Sequence, residues 1–108
     1  MPYRIQGVIV DDASGRPVEG LLVRAYDQDV VVDDFLGEAR TDASGRFEVT
    51  FTEVHFMDLH ETRPDVYVQV FDTDGARRLH CTKREVRKNA DAVERFELRV
   101  RVGAGAAS

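Results

Sequence analysis

Charged and apolar residues alternate strictly near the carboxyl end of the chain. The apolar set is Phe96, Leu98, Val100 and Val102, and the charged set between them is Arg95, Glu97, Arg99 and Arg101. Successive side chains of a β-strand point to opposite faces, so a period of two is typical of a half-buried strand. We therefore predict a strand over residues 93–102 with one face in solvent.

The other apolar runs also favour strands. Residues 66–71 are β-branched or aromatic at five of six positions, which is typical of a central strand. The predicted strands are 3–10, 20–27, 36–41, 46–53, 65–72, 77–82 and 93–102. Seven strands at short intervals predict an all-β sandwich rather than an α/β fold. The only predicted helix is a short one within residues 83–92, which offers little apolar surface to anchor it.

Glycines mark the turns between these strands. The tetrapeptide Ala-Ser-Gly-Arg occurs at 13–16 and again at 43–46, which indicates reused turn chemistry with glycine at positive φ. Gly7, inside the first predicted strand, indicates a bulge or a close approach of another group to the backbone.

The direction of the strands sorts the connections into two groups. If successive strands alternate in direction, the short connections 11–19, 42–45 and 73–76 meet at one end of the sandwich. Residues 28–35, 54–64 and 83–92 meet at the other end. Long loops on a rigid scaffold are where binding sites usually lie, so we predict the functional surface at this second end.

Length and composition are those of a single globular domain. The chain has 108 residues, 43% of them hydrophobic and 32% charged, which suffices for one core. We expect a sandwich over residues 1–102 and a flexible tail over residues 103–108.

The sequence shows neither an apolar run of about 18 residues nor the apolar segment of a cleaved signal. The expected location is therefore the cytoplasm, or outside the cell after export without a cleaved signal.

The net charge of -5 conceals an uneven distribution. Residues 1–76 contain 16 acidic against six basic residues, whereas residues 77–108 contain four against nine. The basic part lacks the clustered aromatic residues that stack on bases, so nucleic-acid binding is not expected. We expect the basic part to lie against the acidic part in the folded domain.

A series of short motifs carries a family resemblance. They are Gly-Val-Ile-Val-Asp at 7–11, Gly-Arg-Pro-Val-Glu-Gly at 15–20, Val-Arg-Ala-Tyr-Asp at 23–27, Leu-Gly at 36–37, Thr-Asp-Ala-Ser-Gly-Arg-Phe at 41–47 and Pro-Asp-Val-Tyr-Val at 64–68. Together they resemble the transthyretin-like β-sandwiches, including the carboxypeptidase regulatory-like domains. The resemblance implies an antiparallel, transthyretin-like (prealbumin-like) sandwich of about seven strands. It also implies a binding or structural role, and small bacterial modules of this kind can accompany secretion or spike assemblies.

Two enzyme groups of related fold provide a comparison. The hydroxyisourate hydrolases end in Tyr-Arg-Gly-Ser and carry early histidines, and this chain has neither feature. Intradiol dioxygenases bind iron through two tyrosines and two histidines. Here Tyr3, Tyr26 and Tyr67 all fall inside predicted strands. We expect no enzymatic activity, and a small metal-dependent enzyme of the dioxygenase type is the second alternative.

The connection after the second predicted strand is rich in acidic residues. Its carboxylates are Asp27, Asp29, Asp33 and Asp34. Calcium prefers several oxygen ligands, and carboxylates two residues apart at a strand end can turn toward one ion. The first alternative function is therefore a calcium-dependent binding domain using residues 27–34; apart from calcium in this alternative, we expect no cofactor. The basic residues of 83–88 lie at the same predicted end and could neutralise these acids without a metal.

Apolar residues also occur in the long connections. Phe35, Phe56, Met57 and Leu59 either cap the core or form a patch for a protein partner. The function we predict is a non-enzymatic module that recognises a protein through loops 28–35 and 54–64 or through a sheet edge. Edge-strand pairing could also produce a homodimer.

Overall fold

Two stacked β-sheets form the domain. The computed structural model describes residues 2–52 and 63–102. Its strands are β1 (Tyr3–Asp11), β2 (Leu22–Asp27), β3 (Asp34–Arg40), β4 (Arg46–Phe51), β5 (Val66–Phe71), β6 (Arg78–Cys81) and β7 (Val93–Val100). One sheet has the order β4-β1-β7 and the other the order β3-β2-β5-β6. The predicted all-β sandwich of about seven strands is confirmed, with β5 inside its sheet as predicted.

The connection from β6 to β7 contains less helix than predicted. A 3-10 helix covers only Lys83–Glu85, not residues 83–92. Directly after it Arg87 and Val66 form an isolated bridge with two backbone hydrogen bonds of 2.9 Å, and a turn with Asn89 at a φ of 52° follows. The helix has no buried residue of its own, so pairing with the start of β5 stabilises this segment better than a longer helix would.

The strands alternate in direction along the chain. All paired neighbours are antiparallel except β1 and β7, the first and the last, which are parallel. Strict alternation gives the first and seventh strands the same direction, so these two can pair only in parallel. The backbone N–H of Gln28 donates to Asp65 O, and that of Ala90 to Pro64 O. Residues 28–33, 63–65 and 82–92 thus meet at one end of the sandwich, which we call the loop end.

The core lies between the two sheets. In β7 the predicted alternation is confirmed, since Phe96, Leu98 and Val100 are buried and the charged residues between them are exposed. The core cluster also includes Ile5, Ile9, Val23, Leu36, Phe47, Val49, Phe51, Val66, Val68 and Val70.

Glycines have the roles predicted for them. A Cβ atom on Gly7 would lie 2.6 Å from ring carbons of Phe47, so glycine is required where this ring packs over β1. Gly15 and Gly45 have φ values of 74° and 75° in the two repeated turns. This is the left-handed conformation that glycine adopts without strain.

Ion pairs link the acidic and the basic parts of the chain. Arg99 Nε lies 3.1 Å from Asp12 Oδ1, and Lys83 Nζ lies 2.8 Å from Asp33 Oδ2. The expected contact between the two parts is therefore present. Within the described ranges, no helix has the length and apolar character needed to cross a membrane.

Candidate recognition loop

The loop between β2 and β3 carries an exposed apolar tip. Val30, Val31 and Val32 are 97%, 87% and 70% exposed. The acidic residues Asp29 and Asp33 flank them in the sequence. We call Val30–Val32 the valine tip. Three consecutive apolar side chains in water are unfavourable for an isolated domain, and such patches are typical of contact sites.

Buried bonds fix the first side of this loop. Asp27, the last residue of β2, is fully buried. Its Oδ1 accepts a 2.8 Å hydrogen bond from the backbone N–H of Asp65. The backbone N–H of Gln28 donates in return to Asp65 O at 2.7 Å. The connection that leads into β5 is thereby joined to the connection that follows β2, at the loop end.

Asp33 fixes the second side of the loop. Its Oδ2 accepts hydrogen bonds from Lys83 Nζ at 2.8 Å and from the hydroxyl of Tyr67. Its Oδ1 accepts from the backbone N–H of Asp29 at 3.0 Å, which closes the loop on itself. One carboxylate thus connects the loop to β5, to the 3-10 helix and to the first loop residues.

An aromatic stack supports the Asp33 contact. The rings of Tyr67 and Tyr26 are stacked with centroids 5.3 Å apart, and Phe35 lies edge-on to Tyr26 at 5.8 Å. Lys83 Nζ lies 5.4 Å from the centroid of the Tyr67 ring, within the range of a cation–π interaction. These contacts hold the base of the loop while its tip projects away.

The electrostatics of the network follow from these contacts. The pKa of Asp33 is lowered to about 2, mainly by the hydrogen bond from Lys83 and next by the hydrogen bond from Tyr67. The pKa of Tyr67 is raised, mainly by burial and next by the hydrogen bond to Asp33. Asp33 is thus ionised and Tyr67 is a neutral donor throughout the physiological pH range.

The predicted partner-binding residues divide into two groups. Phe35 lies in β3 rather than in the loop, because β3 begins at Asp34, and its side chain is 50% exposed. Phe56, Met57 and Leu59, with most of the predicted loop 54–64, lie outside the described residues. The prediction that they contribute to a partner surface stays a prediction.

The four aspartates predicted as calcium ligands have different hydrogen-bond partners. Asp27 is buried against Asp65, whereas Asp33 faces Lys83 and Tyr67. Asp29 Oδ1 accepts a hydrogen bond from the backbone N–H of Val30 at 2.5 Å. Asp34 lies opposite Asp27 in the backbone register of β2 and β3. In residues 2–52 and 63–102, no three His, Cys, Asp or Glu side chains are grouped so that they could hold a metal ion. Calcium binding stays an untested alternative, and an ion would have to compete with Lys83 for Asp33.

The tyrosines considered as iron ligands lie in both sheets. Tyr3 stacks on Phe51 in the smaller sheet. Tyr26 and Tyr67 stack on each other in the larger sheet, and the Tyr67 hydroxyl is engaged by Asp33. The dioxygenase alternative stays a prediction.

Sequence analysis missed the valine tip and the role of Tyr67. The available signal for the tip was a run of three valines between aspartates, in a segment read only for its carboxylates. Tyr67 gave no signal, since a tyrosine in a central strand is ordinary and its bond to Asp33 spans 34 residues of sequence.

Comparisons with known proteins agree with the fold. The model of the transthyretin-like family (TTR-52) matches residues 13–89, which confirms the resemblance noted from the sequence motifs. No curated protein matches the chain. The crystal structure of a 9R-lipoxygenase from Cyanothece PCC8801 is similar, with a TM-score of 0.67 and 23% sequence identity. The match covers 90% of this chain but only 16% of the lipoxygenase chain, and at this identity it shows the fold alone.

Proposed function

The chain belongs to the transthyretin-like family, and we propose that it is a non-enzymatic module that recognises a protein partner through the valine tip. The observation that supports this proposal most directly is the exposure of 70–97% at three consecutive valines. Burying a valine side chain fully contributes about 1.5 kcal/mol or more, so three such residues supply a useful part of a binding free energy.

The rigidity of the loop base supports the same proposal. Ordering a mobile loop on binding costs about 0.5–1.5 kcal/mol for each immobilised side chain. Here Asp27 and Asp33 already connect the two sides of the loop to the rest of the domain. A partner would therefore meet a preformed apolar projection, and little of the gain from apolar burial would be lost to ordering.

The chemistry of the partner surface follows from the tip and its flanks. The complementary surface is an apolar pocket that accepts Val31, with a polar rim that faces Asp29. Half-exposed Phe35 lies in β3, three residues after Val32 in the sequence, and offers a second apolar side chain to a partner. This arrangement resembles the usual anatomy of a protein interface, an apolar centre within a polar rim.

Site-specific photocrosslinking tests the proposal. A photoreactive amino acid replaces Val31 at the tip or, as a matched control, exposed Ala13 in a turn at the opposite end of the sandwich. In the producing cells, we expect a discrete crosslinked protein from position 31 that is absent from position 13. The crosslink should disappear when Val30 and Val32 are both replaced by Asp. Identical crosslinks from both positions, or none from position 31, would contradict the proposal.

A further inference from the structure

A second surface lies where the two sheets differ in width. Within the part of the chain that the structure describes, the smaller sheet has three strands and ends with β7, whereas the larger has four and ends with β6. A cleft of about 290 Å³ lies between these two edge strands. Its lining includes His80 and Thr82 on the side of β6, and Glu97 and Arg99 on the side of β7.

The hydrogen bonds of β7 show which of its backbone groups face this cleft. The carbonyl groups of Ala92 and Val100 accept bonds from the backbone N–H groups of Arg4 and Asp12. In a parallel ladder the residues that pair with the neighbour alternate with residues that point away. Residues of even number in β7 therefore bond to β1, and the N–H and C=O groups of Glu97 and Arg99 point to the open side.

The first part of the open edge is already covered. Arg87 Nη1 donates to the carbonyl group of Arg95 at 2.6 Å and to Glu94 Oε1 at 3.0 Å. The Arg87 guanidinium also lies 3.9 Å from the centroid of the Phe96 ring. Since Arg87 occupies the edge as far as Arg95, the part that no residue of 2–52 or 63–102 covers begins at Glu97.

The floor of the cleft is the inner face of β6. His80 pairs with Val70, and directly opposed residues of an antiparallel pair have side chains on the same face. Val70 is fully buried in the core, so His80 lies on the face of β6 that is directed at the smaller sheet. Thr82 is on the same side, where its Oγ1 accepts from the backbone N–H of Val68 at 3.0 Å.

We propose that the edge of β7 and the inner face of β6 form a slot for one extended strand of a partner protein, bound antiparallel to β7. A fourth strand would make the smaller sheet as wide as the larger one and would place its inward side chain above His80 and Thr82. Main-chain hydrogen bonds to Glu97 and Arg99 provide affinity, as in other cases of strand addition. This surface is independent of the valine tip.

Charge determines the sequence that fits the slot. The side chains of Glu97 and Arg99 are exposed on the outer face of β7. The 60%-exposed side chain of Arg99 also forms an ion pair with Asp12 at 3.1 Å, with which an acidic residue of the partner strand would share the guanidinium. Opposite charges directly across a strand pair are favourable, and like charges are unfavourable. An antiparallel partner meets Arg99 first and Glu97 second, so its preferred sequence is an acidic residue, an apolar residue that points inward and a basic residue in that order.

A pair of synthetic peptides tests the slot. The first peptide is Thr-Val-Thr-Glu-Val-Lys-Thr-Val, and in the second the glutamate and lysine are exchanged. In an NMR titration of the full chain we expect the first peptide to shift the amide signals of Glu97 and Arg99 most. It should bind at least fivefold more tightly than the second. Absence of binding by the first peptide, or equal affinity for both, would overturn the proposal.

Two variants separate the slot from general effects on the fold. The double variant Glu97→Lys/Arg99→Glu should reverse the preference between the two peptides, and an unchanged preference would contradict the proposed register. Arg99→Pro removes an N–H group that faces the cleft and the exposed ion pair of Arg99 with Asp12, but no ladder bond to β1. We expect it to fold and to bind the first peptide at least fivefold more weakly. A folded Arg99→Pro variant with undiminished affinity would contradict strand addition. The valine tip crosslink should be unaffected by either variant.

Discussion

The contact of Asp33 with Lys83 leads to a quantitative prediction for the substitution Asp33→Asn. Asparagine retains the size of the side chain and a carbonyl oxygen for Tyr67, but it removes the charge that faces Lys83. The network lowers the pKa of Asp33 from 3.8 to about 2. A change of this size corresponds to ~2.4 kcal/mol between the two protonation states.

Solvent screening reduces this value. The side chain of Lys83 is 48% exposed and that of Asp33 is 16% exposed, and ion pairs at exposed positions contribute about 0.2–1 kcal/mol. We therefore expect Asp33→Asn to lower the free energy of unfolding by about 1 kcal/mol at pH 7. For a domain of this size the melting temperature should fall by roughly 5 °C.

The dependence on pH distinguishes this ion pair from other causes of destabilisation. The folded state lowers the pKa of Asp33, so the pair contributes fully above about pH 5 and its contribution falls with pH through the range from about 4 to about 2. The difference between the two proteins should decrease to about half near pH 3.

Urea unfolding followed by circular dichroism at several pH values between 3 and 7 measures this difference. Asp34→Asn is a matched control, since it removes the same charge one residue away from the contact with Lys83. A double-mutant cycle with Lys83→Met isolates the pair. The reasoning is refuted if Asp33→Asn is as stable as the parent at pH 7, or if the difference grows as pH falls.

Three further predictions concern the core, a buried hydrogen-bonded side chain and calcium. Gly7→Ala should lower the free energy of unfolding by about 1–3 kcal/mol, because the added methyl group overlaps the ring of Phe47; a thermal melt unchanged from the parent would contradict this. Thr41→Val should cost about 1–3 kcal/mol in urea unfolding, because buried Thr41 Oγ1 accepts from Leu21 N–H and donates to Val18 O. The control Thr50→Val, on the exposed face of β4, should be nearly neutral, and equal losses would contradict the explanation. Calorimetric titration of chelator-treated protein should show no heat at millimolar calcium, because Lys83 already neutralises Asp33; a saturable heat would favour the calcium alternative.

Local patterns predicted most of the fold. The alternation in β7, the β-branched run of β5 and the repeated turns at Gly15 and Gly45 each depend on neighbouring residues, so the sequence displays them directly. The parallel pairing of β1 with β7 joins residues such as Arg4 and Val93. No local sequence pattern indicates a contact between residues so far apart, so the sequence did not predict which strands are neighbours.

The candidate site was only partly predictable for the same reason. The sequence placed Asp33 and Lys83 at one end of the sandwich, since strand alternation determines where each loop lies. It did not indicate that Tyr67 would donate to Asp33 or that the valine tip would remain in water. An exposed apolar run and a buried one have the same composition, and only tertiary packing distinguishes them.

The affinity of the crosslinked partner for variants of the valine tip tests the proposed function most directly. Replacing all three valines with serine leaves the core intact, since these side chains are exposed, and surface substitutions usually change stability by less than about 0.5 kcal/mol. With an unchanged melting temperature, we predict a Kd at least tenfold higher than that of the parent, a loss of ~1.4 kcal/mol or more. A Kd equal to that of the parent would contradict recognition through the valine tip.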